Sequence, residues 1–272
     1  AQRRGGRGKS ATSMKDEDVI EHLLVASTHD TVLLFSNKGK VYWLKVYEMP
    51  AASRGSRGKP LVNLLPLDEG ESINAIMPVK DYSPDCYIFF ATAKGTVKRT
   101  SLDQFSRPRS VGLIAIDIEE GDRLVGAAIT SGNDHVMMLS SNGKAIRFEE
   151  SNVRAMGRTA RGVRGMKLLG DAEVISLIIP KSQQIDADAD SETEGEEAAT
   201  LENGNGGQIY ILTASENGYG KRTRLEEFPL RGRGGQGVIA MQTSERNGSL
   251  VAAMQVYSAY EMMLITDRGT LV

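Results

Sequence analysis

Short runs of β-branched, aliphatic and aromatic residues recur along the chain, and each is followed by a polar turn with glycine and then a second run. The first runs lie at residues 32–35, 87–90, 136–139, 209–212 and 262–265, and the turn glycines are Gly39, Gly95, Gly143, Gly218 and Gly269. Two apolar runs joined through a short glycine-containing turn are typical of β-hairpins. The pattern therefore predicts five hairpins.

Each complete hairpin is followed by a loop rich in arginine and glycine, a third apolar run, an acidic turn and a fourth apolar run. The third runs include residues 61–64, 113–116 and 238–241, the acidic turns include 68–70, 119–122 and 170–171, and the fourth runs lie at 75–79, 125–129, 175–179 and 250–254. The unit repeats about every 50 residues once one acidic insertion is set aside, and four strands in such a unit are typical of a propeller blade.

The two ends of the sequence continue the same order of elements. Residues 10–28 resemble the second half of a repeat, with an acidic turn at 16–18 and a fourth run at 20–28, and the last residues form a hairpin without the rest of its repeat. Adding these halves to the complete repeats predicts an all-β fold of six four-stranded, propeller-like blades. The first and last blades are expected to be incomplete in this chain.

The acidic residues are concentrated in one segment. The formal net charge is −2, but residues 186–202 hold eight acids and no Lys or Arg, which leaves 27 acids against 33 bases elsewhere. Residues 181–207 contain few large apolar side chains and cannot bury enough surface to offset the entropy lost on ordering. We predict one basic domain over residues 1–272, with 181–207 as a disordered acidic insertion between blade strands.

The single Cys86 excludes an intrachain disulfide and fits a reducing compartment. No apolar run approaches the roughly 20 residues that cross a bilayer, and the N-terminal residues lack the apolar core of a signal peptide. The sequence therefore predicts a soluble, unexported, cytoplasmic chain without membrane contact.

Arginine- and glycine-rich loops stand at the start of the chain and after the second run of each repeat. Glycine lets the backbone turn tightly against a ligand, and the guanidinium fork matches phosphate oxygens. Because the loops keep the same place in each repeat, we expect them to surround one rim and bind a polyanion, although the composition of the first loop alone also fits a solvated basic terminus. The predicted DNA-binding residues of the first loop are Gln2, Arg3, Arg4, Gly5, Gly6, Arg7, Gly8 and Lys9. The later loops contribute Arg54, Arg57, Lys59, Arg107, Arg109, Arg158, Arg161, Arg164, Arg231 and Arg233, and the second runs add Lys40, Lys98, Arg99, Lys144, Arg147, Lys221 and Arg222.

These loops offer positive charge without features that read bases. The sequence shows no basic recognition helix, and the aromatic residues Tyr42, Trp43, Tyr87, Phe89, Phe90 and Phe148 fall within strands, where we expect them to pack in the core. This combination favours contact with the phosphates of bent duplex DNA, largely independent of sequence. No nucleophile motif, P-loop or Cys/His metal spacing is present, so we predict no catalytic site, no metal site and no small-molecule substrate. A protein-binding propeller with an incidental basic rim is the alternative.

The first loop, Gln-Arg-Arg-Gly-Gly-Arg-Gly at residues 2–8, matches the Q-R-R-G-G-[KR]-G box that marks the C-terminal domain of the DNA gyrase A subunit. Residues 46–60, 154–157, 217–223 and 265–272 are also similar to that family, and the resemblance spans the chain except 181–207. It implies a six-bladed β-pinwheel whose blades exchange strands, with duplex DNA wrapped right-handedly around the basic outer edge. It also implies that the box joins the first and last blades and is required for the wrap.

The resemblance implies a domain that is not itself catalytic, because in that family the DNA-cleaving tyrosine belongs to the N-terminal region of the A subunit, whereas the B subunit hydrolyses ATP. No cofactor is then expected in the domain, while ATP and Mg²⁺ serve negative supercoiling by the holoenzyme. The implied partners are double-stranded DNA, the rest of the gyrase A chain, and the gyrase B chain in an A2B2 heterotetramer at the nucleoid in the bacterial cytoplasm. The C-terminal domain of the topoisomerase IV A-type subunit, which usually lacks an intact box, is the alternative. The acidic insertion is not a general family feature, and we hypothesise that it competes with DNA for the rim.

Overall fold

The computed structural model describes residues 9–10, 26–49, 51, 63–181, 208–257 and 270–271. In these residues the chain forms strands joined by turns and short 3-10 helices, and no helix among them is long and apolar enough to span a membrane. The strands are β1 (Lys9–Ser10), β2 (Thr31–Ser36), β3 (Lys40–Lys45), β4 (Ile73–Val79), β5 (Tyr87–Thr92), β6 (Thr96–Ser101), β7 (Leu113–Ile114), β8 (Leu124–Thr130), β9 (His135–Ser140), β10 (Lys144–Glu149), β11 (Val163–Arg164), β12 (Val174–Ile178), β13 (Ile209–Ser215), β14 (Gly220–Arg224), β15 (Val238–Ile239), β16 (Leu250–Tyr257) and β17 (Thr270–Leu271). The 3-10 helices include Val46–Glu48, Leu102–Phe105, Glu150–Asn152 and Leu225–Glu227.

The strands pair into antiparallel sheets built on the predicted hairpins. The first three sheets have four strands each, in the orders β4-β2-β3-β7, β8-β5-β6-β11 and β12-β9-β10-β15. The fourth sheet has the order β16-β13-β14, and β1 pairs with β17. The all-β fold with four-stranded blades is therefore confirmed. The described residues form five sheets, so the number of six blades stays a prediction.

Neighbouring sheets exchange their shortest strand. Strand β7 follows the hairpin β5–β6 along the chain, yet it pairs with β3 of the first sheet, with Leu113 opposite Val41. Strand β11 pairs in the same way with β6, and β15 with β10. Each short strand therefore forms the outer edge of the preceding sheet, which links successive repeats through backbone hydrogen bonds. Strands β1 and β17 bring the first and last described residues of the chain together.

A pair of glycines in the approach to β11 and β15 permits this close exchange. Gly162 and Gly237 have φ values of +110° and +78°. A Cβ atom would lie 2.3 Å from the carbonyl oxygen of Val97 at Gly162, and 2.1 Å from that of Ala145 at Gly237. Only glycine fits a positive φ and such a close backbone approach, so these residues fix where the loop returns onto the preceding sheet.

The core lies between successive sheets. Every residue of β2 is buried, because the second sheet covers one of its faces and the segment around Leu65 covers the other, and this explains its continuous apolar run. Between the first two sheets, the rings of Phe35 and Phe90 pack edge to face with centroids 5.3 Å apart. Phe89 and Phe148 pack between the second and third sheets. The aromatic side chains expected in the core are buried or half-buried there, as predicted.

The two ends of each sheet differ in chemistry. The hairpin turns and the acidic turns meet at one end, where the backbone N–H of Asn37 donates to the carbonyl of Ser72 and that of Lys94 to the Asp122 carboxylate. The second strand of each hairpin runs away from this end into a 3-10 helix, and the arginine- and glycine-rich loops start there. These loops therefore leave the sheets opposite the acidic turns and return along the outer edge.

One predicted strand is wrong. Asn63 and Leu64 form part of a turn rather than a third strand, because the chain turns there to bury Leu65 in the cluster of Val32, Leu34 and Tyr42. The predicted strand residues 61–62 and 20–25 lie outside the described residues, as does the hairpin segment 258–269. The end of the predicted strand 20–28 is wrong, because residues 26–28 lead into a turn. Of the predicted acidic insertion, only Lys181 is described, and its backbone N–H donates to the side chain of Gln255 on β16. Residues 182–207 lie outside the described residues.

Candidate nucleic-acid interface

The described arginine- and glycine-rich loops carry exposed arginines in successive repeats. The loop after each 3-10 helix leads to the short strand at the outer edge, so these side chains lie along that edge. The exposed predicted loop residues are Arg107, Arg109, Arg161, Arg164, Arg231 and Arg233, and Arg158 is half-buried. On the second strands, Lys221 and Arg222 are exposed and Lys40 and Lys144 are half-buried, and Lys40 lies at the acidic end, where its Nζ is 3.4 Å from Oδ2 of Asp68. Guanidinium groups in such a row can each contact phosphate oxygens through paired N–H donors.

Arg158 and Arg233 occupy the same place in two loops, five residues before the first residue of β11 and of β15. Arg158 Nη1 donates to the carbonyl oxygen of Ile114 over 3.1 Å, and Arg233 Nη1 donates to that of Arg164 over 3.0 Å. Each side chain thus reaches the short strand of the preceding repeat. The contacts hold the guanidinium at the outer edge and leave other N–H groups of its fork for an anion.

Arg161 connects the same two repeats through a carboxylate. Its Nη2 lies 2.9 Å from Oδ2 of Asp117, and about half of each side chain is exposed. An exposed ion pair of this kind stabilises the fold by little, since water and salt screen it. A phosphate group that binds Arg161 would therefore compete with Asp117 at modest cost.

Lys98 does not belong to the predicted interface. Its side chain is 0% exposed, and its Nζ donates to the carbonyl oxygens of Ala115, Gly157 and Arg158. Burial is the largest cause that lowers its pKa to about 7, and the neighbouring Arg158 lowers it further while Asp117 opposes the shift. The prediction that Lys98 contacts DNA is wrong, because the exchanged strands and the loop of the next repeat cover it.

Arg99 and Arg147 are also turned inward. Arg99 donates to the carbonyl of Val153, lies 3.6 Å from the buried Glu150 carboxylate and stacks on Tyr87. Arg147 Nη1 donates to the carbonyls of Leu225 and Phe228, each over 3.2 Å, and burial lowers its pKa. Neither guanidinium is available to a phosphate, so their assignment to the DNA interface is wrong.

These two arginines and Trp43 form a repeated contact between blades that the sequence interpretation missed. Trp43, Arg99 and Arg147 lie opposite the same point of their hairpin partners, and each donates a side-chain N–H to a carbonyl at the end of the next 3-10 helix. All three follow the turn glycine by four residues. That spacing was a signal in the sequence, and it indicates inter-blade packing rather than surface charge.

Several predicted residues cannot be placed in this interface. Lys9 is described only as part of β1, paired with Leu271. Gln2, Arg3, Arg4, Gly5, Gly6, Arg7, Gly8, Arg54, Arg57 and Lys59 lie outside the described residues. In the part of the chain that the structure describes, no cluster of His, Cys, Asp and Glu side chains could hold a metal ion.

Strand-exchanged antiparallel sheets with a cationic outer edge define a propeller-like all-β domain. The sequence matches the family described as DNA gyrase C-terminal domain, beta-propeller, over residues 1–27, 30–80, 87–131, 134–181 and 210–256. The chain belongs to this family, as the box at residues 2–8 predicted.

The relatives agree with this assignment. The DNA gyrase A subunit of Salmonella typhimurium is 54% identical to the chain over 272 residues, and that of Escherichia coli strain K12 is 48% identical. The chain spans only 28% of the length of either relative, while the alignments cover 100% of the chain.

Solved structures show the same fold. A DNA gyrase A C-terminal domain superposes with a TM-score of 0.76 and 28% identity, covering 98% of this chain and 80% of that chain. The C-terminal domain of a DNA topoisomerase IV superposes with a TM-score of 0.75 and 26% identity, covering 96% and 74%. Because the two scores are nearly equal, the fold does not separate the two kinds of domain, whereas the two sequence relatives above are both gyrase subunits.

Proposed function

We propose that the chain binds duplex DNA with little sequence preference and wraps it right-handedly around its outer edge. The observation that supports this function is the recurrence of exposed arginines in the loop or short strand that follows the hairpin of successive blades, in the pairs Arg107 and Arg109, Arg161 and Arg164, and Arg231 and Arg233. Charge repeated along a curved edge suits a phosphate backbone, which carries charge at regular intervals and needs no base-specific partner.

Wrapping demands many such contacts. Bending 20–30 base pairs smoothly costs on the order of 1–6 kcal/mol, and released counterions together with direct phosphate contacts must offset it. A single basic loop would bind DNA without bending it. Loops on several blades, held in register by exchanged strands, can distribute this cost along the path.

We extend the proposal to the box at residues 2–8. Arg4 stands five residues before Lys9, the first residue of β1, just as Arg158 and Arg233 stand before β11 and β15. The box is then the first member of the series of rim loops. Strand β1 pairs with β17 as the other short strands pair with their hairpins, which supports a role for the box in joining the first and last blades.

In the whole protein, the wrap would serve ATP-dependent negative supercoiling. The relatives are A subunits of DNA gyrase, and the chain corresponds to 28% of their length. The proposed domain is non-catalytic and needs no cofactor of its own, while DNA cleavage, ATP and Mg²⁺ belong to other parts of an A2B2 enzyme that includes the gyrase B chain. We accordingly propose that the protein acts with DNA in the bacterial cytoplasm.

The test is the linking number of a nicked plasmid that ligase seals in the presence of increasing amounts of the chain. Right-handed wrapping shifts the deproteinised product towards positive linking number in proportion to the protein bound. Binding without any shift would contradict wrapping. A protein-binding propeller predicts, in addition, no steep loss of DNA affinity as salt rises.

Charge variants refine this test. Arg107→Ala with Arg231→Ala removes two exposed cations of the rim loops, and the slope of log affinity against log salt is expected to become shallower by about 0.9 for each lost phosphate contact. Lys94→Ala is the control, since Lys94 is also exposed but lies at the acidic end of its sheet. An equal effect of both variants would place the DNA elsewhere than on the rim.

A further inference from the structure

Lys98 is a buried lysine whose amino group lies where segments of two successive repeats meet. It belongs to β6 of the second sheet. Its Nζ lies 3.0 Å from the carbonyl oxygen of Gly157 and 2.7 Å from that of Arg158, and it also donates to the carbonyl of Ala115. The protonated amino group has three N–H donors, one for each of these carbonyls, and the neutral amine has two.

The three acceptors belong to two different chain segments. Ala115 directly follows β7, the strand that forms the outer edge of the first sheet. Gly157 and Arg158 belong to the loop of residues 153–162, which runs from the 3-10 helix Glu150–Asn152 to β11. We call this segment the third-repeat loop. Lys98 therefore ties the third-repeat loop to the outer edge of the neighbouring sheet, at a depth that solvent does not reach.

The fold itself does not require a lysine at this place. Tyr42, Ile146 and Lys221 occupy the corresponding position in the other described hairpins, as the strand registers show. The third sheet buries Ile146 there, and the loop above it runs through Gly235, where an added Cβ would lie 3.8 Å from the end of the isoleucine. Since burial of an ionisable group costs free energy that an isoleucine avoids, the lysine needs a local explanation.

That explanation lies in what the third-repeat loop carries. Lys98 holds the backbone carbonyl of Arg158, while the side chain of the same residue reaches outward to Ile114. Three residues further on, Arg161 is exposed and contacts Asp117, whose backbone N–H donates to the carbonyl of Ala160 over 3.1 Å. The amino group thus fixes the backbone from which two rim arginines project.

We propose that Lys98 is a positioning residue for DNA: it does not touch the duplex, but it holds the third-repeat loop so that Arg158 and Arg161 face the phosphate backbone together. This inference rests on the proposed DNA-wrapping function. Preorganised donors bind an anion more tightly than mobile ones, because less conformational entropy is lost on binding.

The first test measures the loop without DNA. The backbone N–H of Met156 donates to the carbonyl of Arg99 over 2.9 Å, and that of Arg231 donates to the carbonyl of Arg147 over the same distance. The two amides are a matched pair, and only the loop of Met156 is held by a buried lysine. We expect the Met156 amide to exchange about tenfold more slowly with deuterium, after correction for its intrinsic rate. Equal protection in the wild-type chain would overturn the proposal, whether or not the chain wraps DNA.

The second test is a double-mutant cycle on DNA affinity. Lys98→Met is expected to weaken binding about three- to tenfold and to reduce the linking-number shift, because two phosphate contacts become less well placed. In a chain that already carries Arg158→Ala and Arg161→Ala, the same substitution should have no further effect. A full effect in that background would show that Lys98 acts through general destabilisation, which overturns the proposal.

The control is Ile146→Met, the same replacement residue at the corresponding position of the third sheet, which should leave DNA affinity unchanged. If the wild-type chain binds DNA without shifting linking number, the proposed wrapping fails while the cycle on affinity still decides the role of Lys98. If Lys98→Met does not fold, the exchange comparison on the wild-type chain decides it.

Discussion

Residues of one chemical type serve opposite purposes in this domain. Arg231 is exposed in a rim loop, while Arg147 on β10 donates both of its Nη groups, to two carbonyls and, over 2.9 Å, to Nδ1 of His135. Arg147→Met should therefore lower the free energy of unfolding by about 1–3 kcal/mol, because buried carbonyls lose their charged donor. Arg231→Met should change it by less than about 0.5 kcal/mol.

Urea unfolding, monitored by circular dichroism, measures these stabilities. The affinity for DNA, measured over a range of salt concentrations, tests the role of each arginine in binding. Arg231→Met is expected to make the salt dependence shallower, whereas Arg147→Met should leave it unchanged in the folded protein. A stability loss at Arg231 equal to that at Arg147 would contradict the separation of the two roles.

Lys98 links stability to pH. Burial lowers its pKa from 10.5 to about 7, so between these values the unfolded chain binds a proton that the folded chain does not. The free energy of unfolding therefore rises with pH across this window, by up to about 1.4 kcal/mol per pH unit, and this contribution is lost as the pH falls towards 7.

The contribution is isolated as the difference between the wild-type chain and Lys98→Met, because other groups titrate alike in both. Between pH 8 and pH 9, the free energy of unfolding of the wild type should rise relative to that of Lys98→Met. A difference that stays constant over that interval would show that the folded and unfolded chains protonate Lys98 equally.

At the scale of elements, the hairpins could be predicted because their information is local. A run such as residues 136–139, the turn at Gly143 and the second run stand next to one another in the sequence, and β9 pairs with β10 as expected. The exchange of short strands involves residues far apart, since Val238 pairs with Ala145, so periodicity alone did not reveal it and the family resemblance supplied it.

In the candidate interface, too, the sequence predicted what depends on local information and did not predict what depends on long-range contacts. Loop arginines such as Arg107 and Arg231 are exposed, because a loop at the outer edge of the sheets faces solvent. The exposure of a lysine or arginine within a strand depends on which face of the sheet a neighbouring segment covers. Lys98 and Arg99 are covered by a loop 54 or more residues away, a contact that the local pattern does not encode.

The glycine before each short strand makes the exchange testable. Gly237→Ala places a methyl group against the carbonyl of Ala145 at a φ of +78°, so β15 can no longer lie on β10 without a shift of the backbone. Gly170→Ala is the control, since its φ is +60° and nothing lies within 4 Å of the added methyl group. We expect the control to cost about 1 kcal/mol and Gly237→Ala at least about 2 kcal/mol more. Equal costs in urea unfolding would mean that the third sheet does not depend on this close approach.

At the scale of the whole molecule, the acidic turns and the arginine-rich loops lie on different parts of the surface. The acidic turns, which include Asp68, Glu119 and Asp122, share one end of the sheets, while the arginine-rich loops start at the other and cover the outer edge. Under the proposed function, a duplex attracted to the loops would be repelled from the acidic end, and this would confine it to a path around the rim. The sequence adds a further block of eight acids at residues 186–202, joined to the described body at Lys181 and Gln208.

That block should weaken DNA binding through the same electrostatics. Deleting residues 186–202 removes eight negative charges from a chain of net charge −2, so the affinity for duplex DNA at low salt should rise and the linking-number shift should appear at lower protein concentration. An equal-length variant in which Asn and Gln replace the acids separates charge from length, and it should behave like the deletion. The gain should shrink as salt rises from about 0.05 to 0.3 M, since the Debye length falls below about 10 Å over that range. If the neutral variant binds like the wild type while the deletion binds more tightly, length rather than charge is responsible; if neither differs from the wild type at low salt, the block does not compete with DNA for the rim.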